Sequence, residues 1–281
     1  MAKHYEALQR AEQERRRRTA GDATPLAPME WDTTPQRAPA PRPSLLRRLI
    51  PSRSDARGTP DTANEINKRR IAILQPDSYA AEQFRTLRAR IDSLATQRPI
   101  RTIAITSANP DEGKSTAAIN LAAVTSMGVG RKVLLMDCDL RKAKIQRSLG
   151  VDPTSGLEEV LTGRASFDAA VVKVEGLALD VLPVRTPPAN PSELLASLEM
   201  RRLIEAVSSR YDQVIIDTPA CLGLPDAKTV TEMCDGIIVV VRADVTPSED
   251  VQSMLEILDR DRVLGMLLNG VESDREQYRY Y

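Results

Sequence analysis

Six short apolar runs punctuate the chain beyond residue 100: TIAITS (102–107), KVLLMD (132–137), ALDVLPV (178–184), DQVIIDT (212–218), GIIVVVR (236–242) and LGMLLNG (264–270). Most read as continuous apolar stretches instead of alternating with polar residues, so strands built from them bury both faces. Between them lie longer segments with helical spacing, beginning near Lys114, Gly156, Ser192, Asp226 and Pro247, several opened by Ser, Asp or Pro. Buried strands alternating with helices predict an α/β fold, with a mostly parallel sheet and helices on both faces. Ligands of such sheets sit beyond the carboxyl ends of the strands, so the chemistry is expected just after the apolar runs.

The segment after the first run is the most informative. Ala108, Asn109, Pro110, Asp111, Glu112, Gly113, Lys114 and Ser115, followed by Thr116, fit a phosphate loop with Ala in place of the first glycine, set between a strand and a helix. Backbone N–H groups at a helix N-terminus attract an anion. Gly113 permits close approach, Lys114 reaches terminal phosphates, and Ser115 offers a hydroxyl to Mg2+. Two later runs end in acids: Asp137 and Asp139 in VLLMDCDLRK, and Asp217 in VIIDTPA. Carboxylates at the ligand-bearing edge of a sheet, beside a phosphate loop, suit Mg2+ held directly or through water. A nucleotide and Mg2+ are therefore the expected ligands.

Composition bounds the rest. With 39 Lys and Arg against 39 Asp and Glu in 281 residues, the net charge is zero, which offers no argument for a nucleic-acid partner. No apolar run reaches the roughly 18 residues of a membrane span. The charged N-terminus does not read as a signal peptide, so a cytoplasmic chain is expected. Cys138, Cys221 and Cys234 lack metal-ligand spacing and read as packing residues. Residues 1–65, rich in Pro, Ala, Thr and Arg, read as a disordered region that includes a short charged helix at 2–18. The folded body is expected at 66–271 and a flexible tail at 272–281.

TSANPDEGKST, LLMDCDLRK, GLEEVLTG, LPVRTPPANPSELLAS, YDQVIIDTPA and LGMLLNGV together resemble the bacterial tyrosine kinases (BY-kinases) of capsule and exopolysaccharide synthesis. The resemblance implies a P-loop NTPase fold and ATP-dependent tyrosine autophosphorylation. It makes Lys114 the phosphate-binding lysine and Ser115, Asp139 and Asp217 the Mg2+ residues. Asp137 becomes the base that accepts the tyrosine proton. It also implies that Glu82, Arg85 and Arg88 join neighbouring subunits into a ring-like homo-oligomer, and that Tyr278, Tyr280 and Tyr281 are the autophosphorylation sites. A membrane chain-length-regulator partner that recruits the chain to the inner face of the membrane, and an opposing tyrosine phosphatase, complete the expected company.

Ala220 stands where a second proline often follows in the family, and RKAKIQRSLG lacks the proline and histidine often found there. The competing reading is a cell-division or partition-type switch ATPase of the same fold. Its phosphate loop carries an extra lysine near the start, where this chain has ANPDE. A nucleotide-binding adaptor without turnover is the third.

Overall fold

Every residue of Thr102–Ser107 (β1), Val133–Asp137 (β2) and Gln213–Asp217 (β5) is buried, as their apolar runs demand. In the computed structural model, which describes residues 69–271, these strands form the middle of a seven-stranded sheet. Val172–Lys173 (β3), Leu179–Leu182 (β4), Gly236–Arg242 (β6) and Val263–Asn269 (β7) complete it, in the order β3-β4-β2-β5-β1-β6-β7. All neighbours run parallel except β3, which is antiparallel to β4. β3 is the strand that the sequence pattern misses, because two residues carry no periodicity.

Alternate residues of the central strands feed two cores. Ala104, Leu134, Met136, Val214 and Ile216 pack with Leu194, Leu195, Met200, Leu203 and Ile204 on one face. Ile103, Ile105, Val133, Leu135 and Ile215 pack with Ala72, Ala81, Ile91, Ile119 and Leu121 on the other. The covering helices are Ile71–Leu74 (α1), Tyr79–Ala95 (α2), Lys114–Ser126 (α3), Ile145–Leu149 (α4), Leu157–Leu161 (α5), Phe167–Ala170 (α6), Pro191–Leu195 (α7), Leu198–Arg210 (α8), Asp226–Thr231 (α9) and Ser248–Ile257 (α10). The helical segment expected from Ser192 is broken into α7 and α8. Ser197 supplies the break, its hydroxyl accepting from Met200 N to cap the second helix.

α3 has no polar face because it lies inside the molecule; all its residues but Thr116 are buried. Its fully buried Asn120 binds the incoming chain. The carboxamide oxygen accepts from Ala72 N at 2.8 Å, and the nitrogen donates to the carbonyls of Arg69 and Thr116 at 3.0 and 2.8 Å.

Candidate active site

The parallel register delivers the acids together. Asp137 and Asp217 are direct neighbours on β2 and β5, and Asp217 also pairs with Ile105 of β1. The phosphate loop leaves β1 two residues further on, so Lys114 at the start of α3 faces the same strand ends. Its Nζ lies 2.9 Å from Asp139 Oδ2, with both side chains almost wholly buried. Backbone donors fix the acids: Asp139 N and Ile145 N each donate to Asp137 at 3.2 Å, and Lys142 N donates to Asp139 Oδ1 at 3.0 Å.

The loop turns through two left-handed residues, Asp111 (φ 64°) and Gly113 (φ 103°). Gly113 is required twice over: a Cβ there would stand 2.0 Å from Asn269 Nδ2, besides adopting a backbone conformation that L side chains avoid. The side chain of Glu112, a residue expected among the nucleotide contacts, is buried in the frame of the loop. Its carboxylate accepts from Asn109 N at 3.1 Å and Thr246 Oγ at 2.6 Å, and its carbonyl accepts from Asn269 Nδ2 at 2.9 Å. The Asn109 side chain donates to Asp250 Oδ2 of α10 at 2.7 Å. Pro110 and Asp111 are exposed at the tip.

The electrostatics are those of a crowded acidic nest. Burial pushes Asp137 well above the usual carboxylate range, and the charge of Asp217 adds to it. Burial also raises Asp217 to about 6, against the pull of the Lys114 charge and the nearby Ser115 hydroxyl, which approaches without completing a hydrogen bond. Burial works against the Lys114 ammonium, yet Asp217 and Asp139 hold its pKa above the ordinary lysine value. Lysine and carboxylates thus depend on one another for their charge.

Both carboxylate oxygens of Asp217 are buried without a hydrogen-bond partner. An ionised group in that position is costly unless a cation meets it. Mg2+ takes hard oxygen donors, usually one or two from protein and the rest from phosphates and water. Ser115, Asp139 and Asp217 offer that chemistry, and the orphaned oxygens are where it fits. Among the described residues no three His, Cys, Asp or Glu side chains gather as an all-protein cage. The fit is to an ion that shares its shell with phosphate.

Lys114, Ser115, Asp137, Asp139 and Asp217 are therefore brought together at one edge. Glu82, Arg85 and Arg88 lie elsewhere, on α2: Glu82 pairs with Arg85, and Arg88 Nη1 donates to the Val124 carbonyl at the end of α3, at 2.6 Å. Tyr278, Tyr280 and Tyr281, like residues 1–65, lie outside the described residues. The three cysteines are buried free thiols. Sequence reasoning missed Asn269, Thr246 and Lys144, whose Nζ bonds Asp111 Oδ1 at 2.6 Å. Asn269 carries a usable signal, since it ends the last apolar run; nothing marks Thr246 or Lys144.

The AAA domain family AAA_31 matches residues 100–262. Among curated proteins, the tyrosine-protein kinase YwqD of Bacillus subtilis is 38% identical over 214 residues, covering 75% of this chain and 90% of that protein. The tyrosine-protein kinase Wzc of Salmonella typhimurium is 34% identical over 75% of this chain, but the match spans only 30% of Wzc. The kinase domain of the Escherichia coli tyrosine kinase ETK superposes with a TM-score of 0.68 at 32% identity, over 72% of this chain and 79% of that one. The septum site-determining protein MinD of Pyrococcus horikoshii, complexed with Mg-ADP, is more distant, with a TM-score of 0.51 at 27% identity over 60% and 69%. A phosphate loop beside three acids at the strand ends, on a sheet that matches kinase domains better than MinD, accords with the relatives, and this chain belongs to the family of bacterial P-loop tyrosine kinases.

Proposed function

We propose that this tyrosine kinase phosphorylates its own C-terminal tyrosines, Tyr278, Tyr280 and Tyr281, between neighbouring copies, and thereby regulates exopolysaccharide or capsule synthesis. The observation that carries the reading is the register of Asp137 beside Asp217, with Lys114 held in the same nest. Lys114 and the N-terminus of α3 bind and orient the phosphates of ATP. Ser115, Asp139 and Asp217 would hold Mg2+, which would supply positive charge against the phosphates. Asp137, its pKa raised by burial, is a competent acceptor for the tyrosine proton. Glu82, Arg85 and Arg88 serve assembly with a second copy, exchanging their in-chain partners for partner carboxylates.

Each phosphate adds about 1.5 to 2 negative charges to the tail, which would loosen a crowded ring of tails. Among the described residues no helix is long and apolar enough to cross a membrane. A membrane activator would bring the chain to the inner face of the membrane, and a tyrosine phosphatase would reset the tail. The MinD likeness keeps the switch ATPase as a second reading.

Labelled ATP with Mg2+, followed by mass mapping, separates them. Wild type should carry phosphate on the tail, and both Lys114→Met and the triple Tyr→Phe variant should lose it. ATP hydrolysis without phosphotyrosine, even with an activator segment present, would favour the switch.

A further inference from the structure

Lys144 runs between the acid assigned as the base and the loop assigned to the phosphates. Its backbone end is fixed at Asp137, because the next residue, Ile145, donates its N–H to Asp137 Oδ2 at 3.2 Å. Its far end reaches the loop tip, Nζ to Asp111 Oδ1 at 2.6 Å. The residue therefore links the neighbourhood of Asp137 to the tip of the loop. The bond that holds it there is exchangeable: the Asp111 side chain is 64% exposed and that of Lys144 29%, so water screens the pair. A terminal phosphate in the same loop carries more charge and more acceptor oxygens than Asp111, and competes for the ammonium. Electrostatics agree with the placement, since the Lys144 charge reaches both Asp111 and Asp217.

We propose that Lys144 is a catalytic residue that exchanges Asp111 for the terminal phosphate of the bound nucleotide. The catalytic part of this inference rests on the kinase reading above. In the transfer, the tyrosine Oη–P bond forms as the bond from phosphorus to the bridging oxygen of ADP breaks. The electron pair leaves with ADP, and the tyrosine proton passes to Asp137. Lys144 keeps its proton and donates to a non-bridging oxygen of the group in flight, where positive charge stabilises a loose transition state. Asp111 becomes a competitor of the phosphate, which sets how readily the lysine is released.

A merely structural ion pair makes a different prediction, because removal of either partner would then loosen the loop in the same way. Calorimetric binding of Mg-ATP and Mg-ADP to wild type, Lys144→Met, Lys144→Arg and Asp111→Asn distinguishes the two. Lys144→Met should weaken ATP by about tenfold, the scale of one charge-assisted hydrogen bond, and ADP by no more than about twofold. Asp111→Asn should tighten ATP, and Lys144→Arg should retain most of the affinity. In single-turnover labelling, Lys144→Met should slow tyrosine phosphorylation more than it weakens ATP binding. Equal losses of ATP and ADP in Lys144→Met, or weaker ATP binding in Asp111→Asn, would overturn the proposal. If wild type binds Mg-ATP but labels no tyrosine, the kinase reading and the catalytic role fall together, while the binding data still decide whether Lys144 meets the phosphate.

Discussion

Two aspartates of this molecule are buried to the same degree and are treated in opposite ways. Asp226, in the first turn of α9, is 1% exposed and fully supplied with donors: Ser192 Oγ donates to Oδ1 at 2.5 Å and Arg141 Nε to Oδ2 at 2.8 Å. Asp217, at the end of β5, is 0% exposed and accepts nothing. The first acid fastens the segment after Asp139 to α7 and α9 and has its charge balanced within the chain. The second lies within reach of the Lys114 charge but has no hydrogen-bond donor. Burial therefore does not separate a structural carboxylate from a functional one; the supply of donors does.

Substitutions should break this contrast in a definite order. The largest effect is expected from Asp217→Asn, which should lower tyrosine phosphorylation per folded molecule by about 100-fold or more, the scale for removing charge that works in the transition state. Asp226→Asn should leave that rate within about threefold once normalised to folded protein, as expected for a residue that touches no substrate. A comparable loss in both variants, measured at saturating Mg-ATP, would dissolve the distinction.

Next in size is a stability change of opposite sign. The pKa of Asp217 is raised to about 6 from 3.8, so the folded chain binds a proton that the unfolded chain has lost. Stability without Mg2+ or nucleotide should therefore fall as pH rises from about 4 through 6. Asp217→Asn should lessen that slope, to which the buried Asp137 also contributes, and stabilise the metal-free protein at pH 8 by roughly 2 to 3 kcal/mol, with little gain near pH 4. Urea unfolding in chelator at the two pH values reads this directly, and a destabilised Asp217→Asn protein at pH 8 would refute it.

The smallest effect is expected at Asp226. Asp226→Ala leaves Ser192 and a partly exposed Arg141 without their acceptor, and should cost about 2 kcal/mol, less than a wholly buried pair because water reaches the arginine. A urea midpoint unchanged from wild type would show that the network is ornamental.

The same contrast marks what could be read before the fold was known. Asp137, Asp139 and Asp217 were legible because each closes an apolar run, and a parallel sheet gathers such ends without further information. Lys114 and Ser115 were legible because a phosphate loop is local. Glu112 sits in the loop that the motif marks, but its pairing with Thr246 and Asn269 is silent in the sequence: the latter lies 157 residues away, and only the register of β7 brings it close. Lys144 was silent for a similar reason, since its meaning lies in the turn that aims it at Asp111. Arg141 and Asp226, 85 residues apart, meet only after β2 and α9 are in place. Local motifs survive translation into sequence; contacts closed by tertiary register do not.

Asn120 sets a lower limit on how far the chain can be trimmed. The family match begins at residue 100, but the carboxamide inside α3 draws two of its three bonds from Arg69 and Ala72. A fragment cut at the family boundary would leave that amide half-served beneath a helix stripped of α1 and α2, and would bare Ala81 and Ile91's side of the sheet. The family match and the packed body thus differ at the N-terminal side by some thirty residues. Hydrogen exchange should find the first turn of α1 protected together with the core of α3, as parts of one melting unit.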